Sequence, residues 1–306
     1  MAEQNISPLR YPGGKASLAQ FLIEVIKGND VGGGTYVEAY AGGAGAALSL
    51  LVSDYVYQVY LNDKDVFVYS FWQAVFRNAD ELCRLIKDTS VSIEEWERQR
   101  SRMRDHDFLA TASVIEIAFC CFFLNRTNRS GILNAGPIGG KQQLGNYPIN
   151  ARYNKVDLIK RINRLALYEN RVKVFNMDAI SFLNSIFNDL ELNDEPVLIY
   201  LDPPYHKMGK EVYRHYYTND DHRSLASFLQ KATNYKWLLS YDDTELINSL
   251  YVGSEINYID LNYFANKVKV GRELFISSNN LHLPGSTQIS NNQKFSLKFE
   301  LNQQII

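Results

Sequence analysis

Asp202, Pro203, Pro204 and Tyr205 follow directly on the apolar run VLIYL, residues 197–201. An ionised carboxylate accepts hydrogen bonds and donates none. Two prolines fix φ at about −65° and remove two backbone donors, so the turn keeps its carbonyl acceptors and lacks competing N–H groups. The Asp202 carboxylate and the Pro203 carbonyl could therefore accept the two hydrogens of one amino group. An amino group conjugated to an aromatic base is a weak nucleophile because its lone pair is delocalised; two acceptors drawing nitrogen toward tetrahedral geometry restore it. Tyr205 adds a face on which a base taken out of its stack can rest. A Pro-rich turn with a helix-capping Asp would explain neither the apolar lead-in nor the tyrosine.

A second constellation lies upstream in EAYAGGAGAA, residues 38–47. Glycines between a strand and a helix let backbone approach a ligand, and the helix start presents free N–H groups. Asp63 follows Gly45 by 18 residues at the end of the next apolar run. That is the spacing of an acid binding ribose hydroxyls in a Rossmann-like site. The alternative is a tight turn plus a capping Asp. GGAGAAL lacks the GxGxxG frame, and Glu38 before the turn suits a cationic or amino-bearing ligand better than a pyrophosphate. LRYPGGKAS fails as a phosphate loop, because Leu9 stands at the first glycine position and Ala16 follows the lysine.

The elements that must position these groups read as α/β, with a Rossmann-like sheet covered by helices on both faces. Strands are expected at 35–40, 56–63, 172–176, 197–201 and 237–241, with helices at about 16–27, 46–53, 179–187 and 220–232. NYIDLNYF and GRELFISSN predict an antiparallel hairpin, and FSLKFEL an edge strand. Between the second and third strands the alternation stops. FVYSFWQAVF, VSIEEWERQRSRM, FLATASVIEIAFCCFFL and VDLIKRINRLAL read as helices, with a long loop rich in Gly, Asn and Pro before the last. A loop of that length in a compact domain usually carries function.

Net charge is −2, but it is unevenly spread. Residues 121–175 hold 10 Lys and Arg against 2 Asp and Glu, while each flank holds 11 against 16. A basic middle between acidic flanks fits a polyanion, or else a solvated Arg-rich helix face. No apolar run approaches the roughly 20 residues that span a bilayer, which gives the expectation of a cytoplasmic protein with no membrane partner. Cys83, Cys120 and Cys121 form no CxxC and have no histidine at ligand spacing, so neither a disulfide framework nor a metal site is expected.

Taken in order, RYPGGK, VEAYAGGAG, LND, FLNRTNRSG and YLDPPY followed by YYTNDDHRSLASFL resemble the adenine-specific DNA methyltransferases of the D12 class. The family includes the bacterial DNA adenine methylases, and the motif order is its α arrangement. The resemblance implies residues 1–65 and 170–306 as the catalytic domain and 66–169 as a helical insertion, with a target-recognition loop at about 125–153. It implies S-adenosylmethionine as methyl donor and duplex DNA as substrate, with adenine N6 accepting the methyl group by in-line attack after base flipping.

The implied cofactor residues are Tyr11 and Lys15 near the methionine end, Glu38, Gly42, Gly43 and Gly45 in the turn, Asp63 at the ribose, Asp178 near the adenine, and Asp202. Asp202, Pro203, Pro204 and Tyr205 match the catalytic motif. In the insertion Arg126, Asn128, Arg129 and Lys141 are the candidates for DNA contact, since Arg and Asn read base edges while Lys mostly finds phosphate; loop solubility is the alternative for each. Two departures stand out. The family commonly has Glu-Pro-Phe where this chain has Glu38, Ala39 and Tyr40, and NRTNRSGILNAGPIGGK lacks the asparagine-glycine-leucine stretch and arginine of GATC-specific members. The target sequence is therefore not carried over, and the motifs name no partner nuclease or defence component.

Rival readings are cytosine N4 transfer, RNA or protein amide methylation, and a catalytically silent DNA-binding protein of the same fold. Cytosine C5 transfer needs a thiolate, whereas Cys120 and Cys121 sit in an apolar helix that favours inert thiols.

Overall fold

The computed structural model describes residues 6–11, 18–188, 192, 195–207, 214–265 and 267–284. Five strands run parallel: β1 (Thr35–Glu38), β2 (Gln58–Asn62), β3 (Val172–Phe175), β4 (Val197–Leu201) and β5 (Lys236–Asp242). A hairpin of β6 (Glu255–Ala265) and β7 (Lys267–Ser277) completes a seven-stranded sheet in the order β3-β2-β1-β4-β5-β7-β6, with β7 antiparallel to both neighbours. The expected parallel strands and the hairpin are thus present. The edge strand expected at FSLKFEL lies outside the described residues, as does Lys15.

All four residues of β1 are buried, as a parallel strand covered on both faces must be. Alternate residues serve opposite faces. Tyr36, Val59, Leu198 and Leu238 join a core with α1 (Ala19–Gly28), α2 (Gly45–Val52) and α3 (Val66–Arg77). That core continues without a break through the rest of the stretch expected as an insertion, 66–169, where α4 (Ala79–Asp88), α5 (Ile93–Arg104), α6 (His106–Thr111), α7 (Val114–Thr127) and α8 (Lys155–Ala166) follow α3.

Three elements differ from expectation, among them the short helix Glu245–Leu250, which no expected helix covers. The apolar stretch 108–124 is two helices, because Ser113 takes an extended conformation and forms a capping box with Glu116 that starts α7. ELCRLIKD forms α4, whose narrow apolar stripe of Leu82, Cys83 and Ile86 is diluted by charge. α7 is buried nearly all round. Phe122 stacks on Phe71 at 5.9 Å and meets Tyr153 edge-on at 5.4 Å. Burial pushes the Cys120 thiol up to about 12 and Cys121 well above its ordinary value, which makes both inert.

The loop after α7 is held by buried amides. Asn128 accepts from Trp96 Nε1 at 2.6 Å and donates to the Ile132 and Leu133 carbonyls, both at 2.9 Å. Arg100 gathers the carbonyls of Leu133, Asn134 and Ala135, and Gln143 ties Ile138, Gly140 and Ile149. The second face of the sheet, with Val37, Ile199, Leu201 and Leu239, is covered by α9 (Ala179–Phe187), α10 (Asn219–Lys231) and α11 (Glu245–Leu250).

Chain connections lead from β1 toward β2 and β3 on one side, and from β4 toward β5 on the other, so strand order reverses between β1 and β4. A crevice outside the carboxyl ends of the strands at such a switch is where open α/β sheets bind ligands. Glu38 ends β1, and Asp202 follows β4 directly. Truncating the ring at the centre of α7, Phe122→Ala, is expected to cost about 3–5 kcal/mol of stability, measured by chemical denaturation.

Candidate active site

The crevice is a cleft open to solvent. Tyr11, Glu38, Gly42, Gly43 and Gly45 line it together with Asp63, Asp202 and Pro204, so residues from four separate motifs share one space. Pro203 is buried beside them and Tyr205 is half-buried. Asp178 is set back: its flanking Met177 and Ala179 line the cleft, while its own carboxylate caps α9 through Ile180 N at 3.1 Å and pairs with Lys64 at 3.2 Å.

The glycines serve a neighbour as much as any ligand. A Cβ on Gly42 would lie 2.7 Å from the Tyr11 ring, and one on Gly43 would lie 2.7 Å from the Tyr11 Cβ. Gly42 has φ +45°, and Ala44 follows at +47°, an uncommon left-handed position for a residue with a side chain. The turn is pinned by Ser7 Oγ donating to Gly43 O at 2.6 Å and Trp72 Nε1 donating to Gly42 O at 2.8 Å. Its exit at Gly45 begins α2, with the positive end of that helix toward the cleft.

The acids carry the electrostatics. Asp63 accepts Gly42 N on one oxygen and Asp65 N on the other, both at 2.9 Å. Burial, with Asp65 close by, still pushes its carboxyl up to about 7. Glu38 accepts Ala47 N at 3.1 Å; burial foremost, joined by the nearby Asp202, pushes it up to about 8. Buried acceptors of raised pKa suit a ligand that brings positive charge and hydroxyl donors.

Several residues of the site are absent from the sequence reading. Asn62 ties three strand ends together, donating to Ala39 O and Met177 O and accepting from Met177 N. Ser240 of β5 donates to Asp202 Oδ1 at 2.8 Å and shares a hydrogen bond with the Tyr200 hydroxyl. Asp242 and Glu273 hold the turn after Asp202. Arg214 reaches the cleft from beyond that turn, paired with Asp65 at 3.2 Å and lying over the Phe67 ring. Strand-end polarity in SYDD and LND marks Asn62, Ser240 and Asp242 as polar positions without naming what they hold; Glu273 and Arg214 carry no signal.

The four insertion residues part company. Asn128 is fully buried and its amide is engaged within the loop, so it shapes the loop instead of facing solvent. Arg129 and Lys141 are exposed, the latter paired with Glu97 at 3.2 Å. Arg126 lies on the seam between α7 and the N-terminal loop. It donates from Nε to Arg152 O at 2.7 Å and from Nη1 to Pro8 O at 3.5 Å. Arg161 reaches Ser7 O and pairs with Asp157 at 2.8 Å, while Arg10 reaches Asn128 O. Burial, then the charges of Arg10 and Arg161, lower Arg126 to about 10. Arg10 is lowered by burial and then by Arg152. Four guanidinium groups therefore crowd one seam.

A sheet of this order with a reversed seventh strand, and an Asp-Pro-Pro-Tyr turn in its switch crevice, define a Rossmann-like methyltransferase. More particularly, the chain belongs to the D12 class N6 adenine-specific DNA methyltransferases, whose family model matches residues 11–264. No curated protein matches the chain. Among solved structures it is similar to the rRNA methyltransferase aviRa from Streptomyces viridochromogenes, in two determinations. Each is 12% identical and covers 89% of this chain and 88% of that one, with TM-scores of 0.33 and 0.31. A likeness so distant carries no argument about substrate. Among the described residues no group of His, Cys, Asp or Glu could hold a metal ion, and no helix is long and apolar enough to cross a membrane.

The raised acids make stability depend on pH. Glu38 and Asp63 bind protons more tightly folded than unfolded, so their effect favours the fold at low pH and is lost as pH rises toward 8. The melting temperature of the ligand-free protein is expected to fall between pH 5 and pH 8, and Glu38→Gln to flatten that fall, as followed by calorimetry across the range.

Proposed function

We propose that the protein transfers a methyl group from S-adenosylmethionine to N6 of an adenine flipped out of duplex DNA. The observation that carries this reading is the convergence of Asp202 with Glu38 and Asp63 in one cleft, the amino-positioning turn beside the donor-binding acids. Those acids fit the donor. Glu38 is placed for its ammonium or sulfonium charge, and Asp63 keeps lone pairs for ribose hydroxyls beyond those given to backbone. Tyr11, Gly42, Gly43 and Gly45 form the wall, Lys15 is assigned to the donor's methionine end, and Asp178 to its adenine end, behind the cleft-lining Met177 and Ala179. When bound, S-adenosylmethionine supplies a sulfonium methyl, to which the N6 lone pair bonds as the carbon–sulfur bond breaks and leaves a thioether.

The chain's own part is positioning. Asp202 and the Pro203 carbonyl accept the two N6 hydrogens and hold the lone pair toward the methyl group, and Asp202 receives the proton that must leave. Tyr205 stacks the flipped base, and Pro204 closes the cleft beside it. On the DNA side, Arg126 with Arg10, Arg152 and Arg161 forms a phosphate-binding seam next to the cleft, and the exposed Arg129 and Lys141 extend it along the loop. Asn128 contributes by fixing the loop that carries them.

Labelled methyl transfer to duplex DNA, single-stranded DNA and RNA tests the reading, with N6-methyladenine in duplex DNA the expected product. Asp202→Ala is expected to lower turnover by about a hundredfold or more with donor affinity little changed. Undiminished turnover in that variant, or N4-methylcytosine as the product, would sink the proposal. Replacing Arg152 and Arg161 by Ala should weaken binding to all duplexes alike and reduce the slope of log K against log salt by about 0.9 for each phosphate no longer neutralised. An unchanged slope, read by titration at several salt concentrations, would remove the seam from the interface.

A further inference from the structure

Asp242 of β5 stands directly opposite Glu273 of β7 in the sheet register. Like charges at facing positions destabilise a strand pair, and Glu273 is only 2% exposed, so little water offsets the repulsion. A sheet needing only packing there would hold apolar residues. Each acid is instead turned toward the segment that follows β4. Asp242 accepts His206 N at 2.9 Å and Lys207 N at 3.0 Å, one on each oxygen. Glu273 accepts the Tyr205 hydroxyl through Oε1. With Ser240 on Asp202, the turn is held at its first residue, at its tyrosine and at its exit.

We propose that Glu273 is a positioning residue for methyl transfer: by holding the Tyr205 hydroxyl it fixes the tilt of the ring on which the target base stacks. The angle at which the amino group meets Asp202 and Pro203 follows from that tilt. This role rests on the function proposed above. A phenylalanine could offer the same face, but without the hydroxyl the ring loses the bond to Glu273 that sets its direction. The carboxylate gives the ring a direction, and a misplacement of about 1 Å at a reacting centre costs about a hundredfold in rate. Glu273 does not touch the base; it acts through Tyr205.

The test uses the full chain and genomic DNA free of adenine methylation, and measures kcat, KM for DNA, donor Kd and melting temperature for Glu273→Ala, Glu273→Gln, Tyr205→Phe and the Ala/Phe double variant. Glu273→Ala is expected to lower kcat about 10- to 100-fold, with donor Kd within a few-fold of wild type. Glu273→Gln, which keeps an acceptor, should recover most of the loss. Tyr205→Phe should lose about as much as Glu273→Ala, and the double variant less than the two losses combined, because both remove the Tyr205–Glu273 bond. Should Glu273→Ala not fold, Tyr205→Phe decides the matter alone, since its packing surface is unchanged. Wild-type kcat in Tyr205→Phe, while the parent protein methylates adenine, would overturn this role and leave the proposed function standing. A parent protein that transfers no methyl group to DNA would overturn both.

Discussion

Three carboxylates, Glu38, Asp63 and Asp202, face one cleft, and two of them are held well above the ordinary carboxylate range by burial. Desolvating acids side by side is costly, and the architecture around them is arranged to offset that cost. Backbone N–H groups at Gly42, Asp65 and Ala47 are aimed at Asp63 and Glu38, and the hydroxyl of Ser240 at Asp202. Presenting the Gly42 N–H demands the tight turn, with its positive φ at Gly42 and Ala44. Holding that turn at the right height requires Asn62, which binds the ends of β1 and β3 to β2. What remains, among the described residues that line the cleft, is more carboxylates than cations, an arrangement suited to a ligand that brings positive charge.

The same logic joins the insertion to the cleft. Asn125, near the end of α7, pairs with both backbone groups of Arg10 at 2.8 Å, as a neighbouring strand would. Gly131 presses so close that a Cβ there would lie 2.0 Å from Arg10 O, so only glycine fits. Arg10 therefore has its place fixed by the loop that follows α7, and Tyr11, the next residue, is packed on Gly42 and Gly43. The arginine seam and the acid cleft share this short N-terminal segment as a common wall. Basic charge concentrated at 121–175 and acidic charge at the strand ends meet there without mixing.

Much of this was legible in the sequence because it is local. Strand ends carrying Glu38, Asp63 and Asp202 are readable from apolar runs that stop at an acid, and the sheet's parallel half follows from their alternation with helices. The break between α6 and α7 was hidden by the apolar residues on both sides of Ser113, whose capping role depends on a backbone angle and not on its neighbours' hydropathy. Asn128 stood in a polar loop beside arginines and read as a base-contacting amide; Trp96, 32 residues away, claims it instead. Ser240, Asp242 and Glu273 belong to a third kind. Their roles come from register, and register across a sheet is not written in either strand alone.

The reversed seventh strand explains why the last of these can be so well fixed. A parallel strand reaches the crevice only through its final residue and the loop beyond, as Glu38 and Asp202 do, and loops are the less rigid part of a fold. An antiparallel strand passes the same edge in mid-course. Glu273 is paired to Asp242 on one side and to Ile259 on the other, so its backbone is fixed by ladders in both directions. Its carboxylate is thus anchored more firmly than the turn it holds. Inserting β7 between β5 and β6 brings a ladder-held acceptor to the one edge of the sheet where the other strands end in turns, and so ties the hairpin to the Asp-Pro-Pro-Tyr turn as well as completing the sheet.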